Sequence, residues 1–171
     1  MKQIPLTKGK EAWVDDEDYD FLMQWKWHLT GGNRNSKSAG KYAGRWDWTH
    51  GNRKRIYMHN VIASRINLPS SPDHRDRDGL NNQRCNLRDA TNSQNLANRA
   101  LFETSTSGFK GVTEHRGKWQ SQIMVHRQTH YLGRFPGTEA GKIAAARAYN
   151  KAAREHFGEF AVLNSIPQEI S

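Results

Sequence analysis

An α+β fold is predicted for this 171-residue chain, built from at least two small modules. Three observations predict it. Short aromatic stretches before residue 58 alternate as strands do, residues 58–66 and 91–97 carry helical signals, and beyond residue 107 the pattern runs strand, strand, strand, helix. A chain of this length holds one ordinary domain or two small ones, and small domains bury proportionally less surface.

Charge narrows the partners. Lys and Arg number 26 against 17 Asp and Glu, a net charge of +9 with an isoelectric point near 9.9. Such an excess points to a polyanion, either nucleic acid or an anionic membrane surface. No apolar run approaches the ~20 residues that span a bilayer, and no signal-peptide core follows Met1. The expectation is therefore a cytoplasmic, nucleic-acid-facing protein without a membrane partner. Cys85 is the single cysteine, which excludes an internal disulfide and any zinc site built on two thiolates. A metal, where used, would be held mainly by oxygen and nitrogen.

The first thirty residues are acidic, through Glu11, Asp15, Asp16, Glu17, Asp18 and Asp20. Residues 34–58 reverse this, with Arg34, Lys37, Lys41, Arg45, Arg53, Lys54 and Arg55 facing only Asp47. Between the aromatic stretches at 25–29 and 41–46, residues 31–36 read as a flexible loop, so a hairpin is expected. Two readings of these strands stay open: basic and aromatic residues gripping a nucleic-acid backbone, or a small sheet with tryptophans in its core. Ile62, Ala63 and Ile66 at helical spacing from His59 predict a short amphipathic helix, with His59 structural.

Residues 72–88 are unusually polar, with tight turns marked by Asp78-Gly79 and Asn81-Asn82. Thr91 with Gln94 three residues on fits a capping box, placing Asn95 in the first turn of a helix. A hairpin followed by a helix can present side chains from both to one point. In this stretch Asp73-His74 is followed by Asn86-Leu87-Arg88, twelve residues beyond His74, and then by Asn95, nine beyond Asn86. The set closely resembles the HNH nuclease family over residues 56–99, nearest to the H-N-N homing endonucleases of phages and introns.

The resemblance implies a ββα-metal unit at about 58–100, inside an HNH domain of residues 1–103 whose β-rich part is 1–57. It implies phosphodiester hydrolysis with His74 as general base and Asn86 holding the hairpin and orienting His74. Asp73 and Asn95 would bind one hard divalent cation, Mg²⁺ or Mn²⁺. Arg75, Arg77, Arg84, Arg88 and Arg99 around the unit would clamp the DNA backbone. Strand neighbours point to opposite faces, so sharing of one site by Asp73 and His74 predicts an irregular strand, which Pro72 favours.

A polar break at residues 104–107 reads as a linker to a module at 108–171. There Trp119, Ser121, Ile123 and Val125 alternate with Gln120, Gln122, Met124 and His126, with turns at Arg116-Gly117 and Arg127-Gln128. Thr138 is expected to cap a helix that runs to about Phe157 and stops at Gly158, with Ala140, Ala144, Ala148 and Ala152 lying against the sheet. The phrases Gly108-Phe109-Lys110-Gly111-Val112, Tyr131-Leu132-Gly133-Arg134-Phe135 and Ala161-Val162-Leu163-Asn164 resemble the Apetala/ethylene-response-factor DNA-binding domain over about 107–164. In that family a three-stranded sheet enters the major groove. The likeness assigns DNA contacts to Lys110, Thr113, His115, Gln122, Met124 and Tyr131, with Arg116 nearby. Thr113, His115 and Met124 stand where plant regulators carry Arg, so their recognition sequence is not expected here.

The functional expectation is a metal-dependent DNA endonuclease of the homing type, phage-borne, nicking double-stranded DNA as a monomer. The alternative is a non-catalytic DNA-binding regulator with a vestigial nuclease unit, and an RNA-directed enzyme comes third.

Overall fold

The computed structural model describes residues 1–31, 41–49, 51–69, 71–101 and 105–167. Backbone contacts group the chain into two units, Met1–Thr91 and Asn92–Ser171. Among the described residues no helix is long and apolar enough to cross a membrane.

In the first unit, β1 (Lys2–Pro5) pairs antiparallel with β2 (Glu11–Val14), and α1 (Asp16–Leu22) follows. A second sheet has the order β3 (His28–Thr30), β4 (Tyr42–Thr49), β5 (Asn52–Tyr57). The expected hairpin is thus β3–β4, registered Leu29 to Ala43; of its expected loop at 31–36, all but Gly31 falls outside the described residues. Then come α2 (Met58–Arg65), where helical spacing predicts a helix, and a two-stranded hairpin of β6 (Ser71–His74) and β7 (Leu87–Ala90).

Alternation builds the core of this unit. On β2, Ala12 and Val14 point inward while Glu11 and Trp13 face out. They join Ile4, Leu22, Trp27, Ala43, Met58, Ile62 and Leu87 in one cluster. Trp27 is only 2% exposed, and its indole N–H donates to the Leu22 carbonyl at 2.8 Å. Burying such a ring with its donor satisfied contributes about 3–5 kcal/mol relative to alanine. Of the tryptophans, Trp27 is core, as one reading of the sequence expects, whereas Trp46 and Trp48 on β4 face outward.

The acidic start of the chain has a structural purpose. Asp18 on α1 is 0% exposed, yet it is ionically matched. Arg84 donates to it through Nε at 2.7 Å and Nη2 at 2.9 Å, and Arg65 through Nε at 2.9 Å. The Arg84 backbone N–H meets Asp15 at 2.7 Å, and its guanidinium also pairs with Glu17. Burial by itself raises the Asp18 pKa, but the bonds from Arg84 and Arg65 outweigh it and hold the carboxyl below its ordinary 3.8.

The second unit opens with α3 (Asn92–Ala97), directly after Thr91. Its sheet has the order β10 (Gln128–Phe135), β9 (Lys118–Val125), β8 (Val112–His115), with α4 (Glu139–Phe157) packed on one face. Both hairpins turn on two residues with positive φ, Arg116-Gly117 (50°, 68°) and His126-Arg127 (49°, 66°). Such pairs make the type I′ turns whose twist suits flanking strands. The second turn therefore sits one residue earlier than the sequence suggests, and His126 leaves the polar face. The alternation on β9 otherwise holds, with Ser121, Ile123 and Val125 buried and Met124 exposed.

The Thr138 hydroxyl oxygen accepts from the Gly141 N–H at 3.2 Å, and α4 ends at Phe157 before Gly158 at φ 51°. The buried stripe differs from expectation. Gly141, Ala145, Ala146, Tyr149, Ala152 and Ala153 are buried, while Ala140 is exposed and Ala144 and Ala148 are half-buried. A strict four-residue repeat drifts around a 3.6-residue turn, and the bulk of Tyr149 sets the rotation. Its ring lies against Gly111 (φ 73°), where an added β-carbon would overlap it. Asn150 and Asn164 exchange two hydrogen bonds of 2.9 and 2.7 Å, and Asn164 also brackets the backbone of Lys110. Of the residues read as a linker, Thr104 falls outside the described set; Ser107 is buried, its hydroxyl donating to Val112 at 2.7 Å.

The Asp18 cluster makes acid sensitivity testable. A carboxyl whose folded pKa lies below 3.8 stabilises the fold fully above that value and progressively less as pH falls toward the folded pKa. Urea unfolding at pH 6 and pH 3 should show Asp18→Asn less stable at pH 6 and losing less on acidification than the wild type. Identical acid losses in both would remove Asp18 from this role.

Candidate active site

His74 closes β6, paired in register with Leu87. The chain then leaves the ladder, with the Arg77 N–H bonded to the His74 carbonyl at 3.0 Å and Arg77 itself at φ 67°. Residues 75–86 form a loop whose polar side chains knit it from within. Asp76 accepts from the Asp78 N–H at 2.8 Å, from Asn81 at 2.7 Å and from Asn86 at 2.9 Å. Asn86 also donates to the Asn81 carbonyl at 2.8 Å and accepts from the Asp76 N–H at 3.1 Å. From outside, Trp13 on β2 clasps the loop through two backbone bonds of 2.8 Å, to Leu80 and Asn82.

This loop delivers Asn82, which is fully buried, to the catalytic candidate. The Asn82 Oδ1 lies 3.3 Å from the His74 Nε2, while its Nδ2 donates to the Leu80 carbonyl at 3.2 Å. An amide oxygen only accepts, so Nε2 donates and Nδ1 is the basic nitrogen of the neutral ring. The orienting bond expected from Asn86 is thus made by Asn82. Asn86 ends the turn Arg84–Asn86 at the foot of β7, and there its bonds to Asp76 and Asn81 hold the loop together, the other part of its expected role.

Rings enclose the imidazole. His59 on α2 stands edge-on to His74 with centroids 5.1 Å apart, and Tyr42 is tilted over it at 5.9 Å. Tyr57 stacks on His59 at 5.4 Å. Gly79 is buried against Tyr42, and a β-carbon there would collide with the Tyr42 ring and the Lys41 carbonyl. Burial pulls the His74 pKa down, opposed by the Asn82 bond and by Asp76, Asp73 and Asp78. Burial also drives His59 down to about 3, with His74 adding to the effect. Both rings are therefore neutral near pH 7, which a general base requires.

Asp73 faces its cross-strand partner Arg88. Both side chains are buried, and Arg88 donates Nε and Nη2 to Oδ2, each at 2.9 Å. The irregular strand expected at Pro72 is not formed: the ladder runs unbroken from Ser71↔Ala90 to His74↔Leu87, with Pro72 opposite Asp89. A two-stranded hairpin leaves edges on which proline removes no ladder bond. Among the described residues no three His, Cys, Asp or Glu side chains form a metal-binding cluster. The unbroken ladder turns Asp73 and His74 to opposite faces of the hairpin, so the geometry expected for their sharing one site is not formed. Asn95 is half-buried on α3, in the second unit.

No protein-family model matches the chain. An uncharacterised HNH endonuclease of Acanthamoeba polyphaga mimivirus is 30% identical over 159 residues, covering 93% of this chain and 77% of that relative. The chain belongs to the HNH endonuclease family.

The basic residues assigned from sequence to DNA fall into two groups in this HNH chain. Arg75, Arg77 and Arg99 are exposed, while Arg84 and Arg88 are engaged inside the protein by Asp18 and Asp73. In the second unit Thr113, His115, Arg116, Met124 and Tyr131 are exposed and Gln122 is half-buried beside Tyr131. The Lys110 ammonium donates to the carbonyls of Ala97 and Arg99, closing the C-terminal end of α3. Sequence reasoning missed Asn82 and Tyr42, and it read His59 as structural without placing it beside His74. Asn82 was legible only as a turn residue, and the ring cluster assembles from four elements that no local spacing connects.

Long-range ¹H–¹⁵N spectra of the imidazoles test this geometry. His74 should be protonated at Nε2 in the neutral protein, and Asn82→Ala should redistribute its tautomers while His59 stays neutral across pH 5–8. An unchanged His74 tautomer in that variant would dismiss Asn82 as its orienting partner.

Proposed function

We propose that this chain is a divalent-metal-dependent DNA endonuclease with His74 as its general base. The supporting observation is the neutral, buried imidazole at the end of β6, fixed by Asn82 so that Nδ1 is the proton acceptor. Phosphodiester hydrolysis requires a deprotonated attacking water, charge stabilisation at phosphorus and help for the departing oxygen. The His74 Nδ1 takes the proton from that water, and the surrounding rings limit competing solvent.

Asp73 and Asn95 carry hard oxygen donors of the type Mg²⁺ or Mn²⁺ prefers. A metal role for them rests on that chemistry and on the HNH resemblance, since the regular ladder turns Asp73 to the face opposite His74 and Arg88 holds its carboxylate. When bound, such an ion would supply positive charge to the scissile phosphate and the 3′ leaving oxygen. Arg88 fixes the rotamer of Asp73 through two bonds to one oxygen, and Asn86 keeps the loop closed behind Asn82. Arg75, Arg77 and Arg99 contact the DNA backbone.

Residues beyond a boundary at 104–107 act as an Apetala/ethylene-response-factor-like module. Its exposed sheet face, with Thr113, His115, Met124 and Tyr131 around Gln122, is offered to the major groove of double-stranded DNA, and Arg116 lies at its rim. Few arginines on that face favour tolerant over strict base readout. One catalytic centre per chain makes the enzyme a nickase when monomeric. A viral relative suits a mobile, homing role in an infected cell's cytoplasm.

Nicking of supercoiled plasmid should require Mg²⁺ or Mn²⁺ and stop with EDTA. His74→Ala should lower kcat by about 10²- to 10⁴-fold with DNA affinity unchanged. Full cleavage by that variant would dismiss His74 as base, and full cleavage in EDTA would dismiss the metal.

A further inference from the structure

One surface of the first unit takes no part in the site described so far. On the ribbon formed by β4 and β5, Trp46 lies opposite Arg55, Trp48 opposite Arg53 and Gly44 opposite Tyr57. Side chains alternate along strands, so Tyr42, Trp46, Trp48, Arg53, Arg55 and Tyr57 share one face. Its outer half is open: Trp48 is 70% and Trp46 37% exposed, and Arg53 and Arg55 are exposed beside them. The Arg53 guanidinium lies 3.8 Å from the Trp46 ring centre and 5.5 Å from that of Trp48, and Arg55 lies 4.5 Å from Trp46. The opposite face is closed at its inner end, with Ala43 buried and Arg45 both stacked on Trp25 and paired with Asp47 at 3.2 Å, while Lys54 is exposed at its outer end.

We infer that this tryptophan–arginine face is a second duplex-DNA contact surface, gripping the phosphate backbone that flanks the cut. The location relative to the cut rests on the nuclease reading. A guanidinium stacked on an indole keeps its edge N–H groups free to meet a phosphate and loses little rotamer freedom on doing so. Among the described residues no carboxylate pairs with Arg53 or Arg55, and the one acid of the ribbon, Asp47, points the other way. Arg53 and Arg55 are spaced about 6.8 Å apart along the strand, near two steps of the about 3.4 Å rise of a DNA strand. A two-stranded ribbon is also of the width that the major groove admits.

The inner half of the same face leads to the active site. Tyr42 and Tyr57 are 5.9 Å apart, Tyr57 stacks on His59, and His59 meets His74. Trp48 and Tyr42 are six residues apart on one strand, roughly 20 Å, or about six base-pair steps. The ribbon would therefore hold DNA within about half a turn of the phosphate that His74 attacks. A lipid surface is a poorer fit, because two guanidinium groups lie among the rings and break up any apolar patch.

The test uses full-length protein. Binding to a 30-base-pair duplex would be followed by fluorescence anisotropy between 50 and 200 mM KCl in the His74→Ala background. Arg53→Ala/Arg55→Ala is expected to bind about 10-fold more weakly, with the log–log salt slope reduced by about 1.8, since each lost phosphate contact removes about 0.9. Trp46→Leu/Trp48→Leu keeps both charges and should weaken binding with the slope nearly intact. Lys8→Ala/Lys10→Ala removes the same charge from another exposed site and should change affinity far less. Circular dichroism and thermal melts would verify that each variant is folded. Ribbon variants that bind like the lysine control would overturn the proposal, as would loss of binding to single-stranded RNA alone. Tight duplex binding through these residues by a wild-type protein that never cuts would uphold the surface and defeat the nuclease reading. Normal cutting and binding by the same ribbon substitutions made with His74 intact would do the reverse.

Discussion

The arrangement around His74 depends on a carboxylate that never touches it. Asp18 is buried on α1, and burial without partners would be costly. Its partners Arg84 and Arg65 come from the loop after β6 and from α2, so one group fixes three elements against each other. Arg84 is two residues from both Asn82 and Asn86. Holding it therefore sets the height of the whole loop, and with it the reach of Asn82 toward the imidazole. A loop of twelve residues whose regular structure is one short turn at Arg84–Asn86 is in this way given the positional definition normally reserved for strands and helices.

Much of the scaffold could be read from sequence because its signals are local. Thr138 and Gly158 bound α4 as capping rules require, and the alternation from Trp119 to Val125 sorts β9 into two faces. Errors arose where a local rule met a tertiary one. The alanine repeat on α4 suggested one stripe, but Tyr149 over Gly111 rotates the helix to another. Pro72 suggested a broken strand, yet a two-stranded ladder has room for it.

The candidate site was legible in a different proportion. Asp73, His74 and Asn86 were singled out by their resemblance to the HNH pattern. What each one touches could not be read that way. Arg88 and Arg84 read as surface clamps from their charge alone, and only the fold reveals Asp73 and Asp18 beside them. The division of labour between Asn82 and Asn86 is a matter of which way a short turn faces, and Asn81-Asn82 carries no sign of that in its sequence.

The clasp between Trp13 and the loop also has a bearing on solubility. Strand β2 has β1 on one side, and its other side is occupied by the backbone of Leu80 and Asn82. An unoccupied strand edge is a template for pairing with other chains. The stretch that orients the imidazole thus doubles as the seal on a sheet margin. Damage that frees it would both release the imidazole from Asn82 and uncover an adhesive border, so forms of this kind should also be the ones that self-associate.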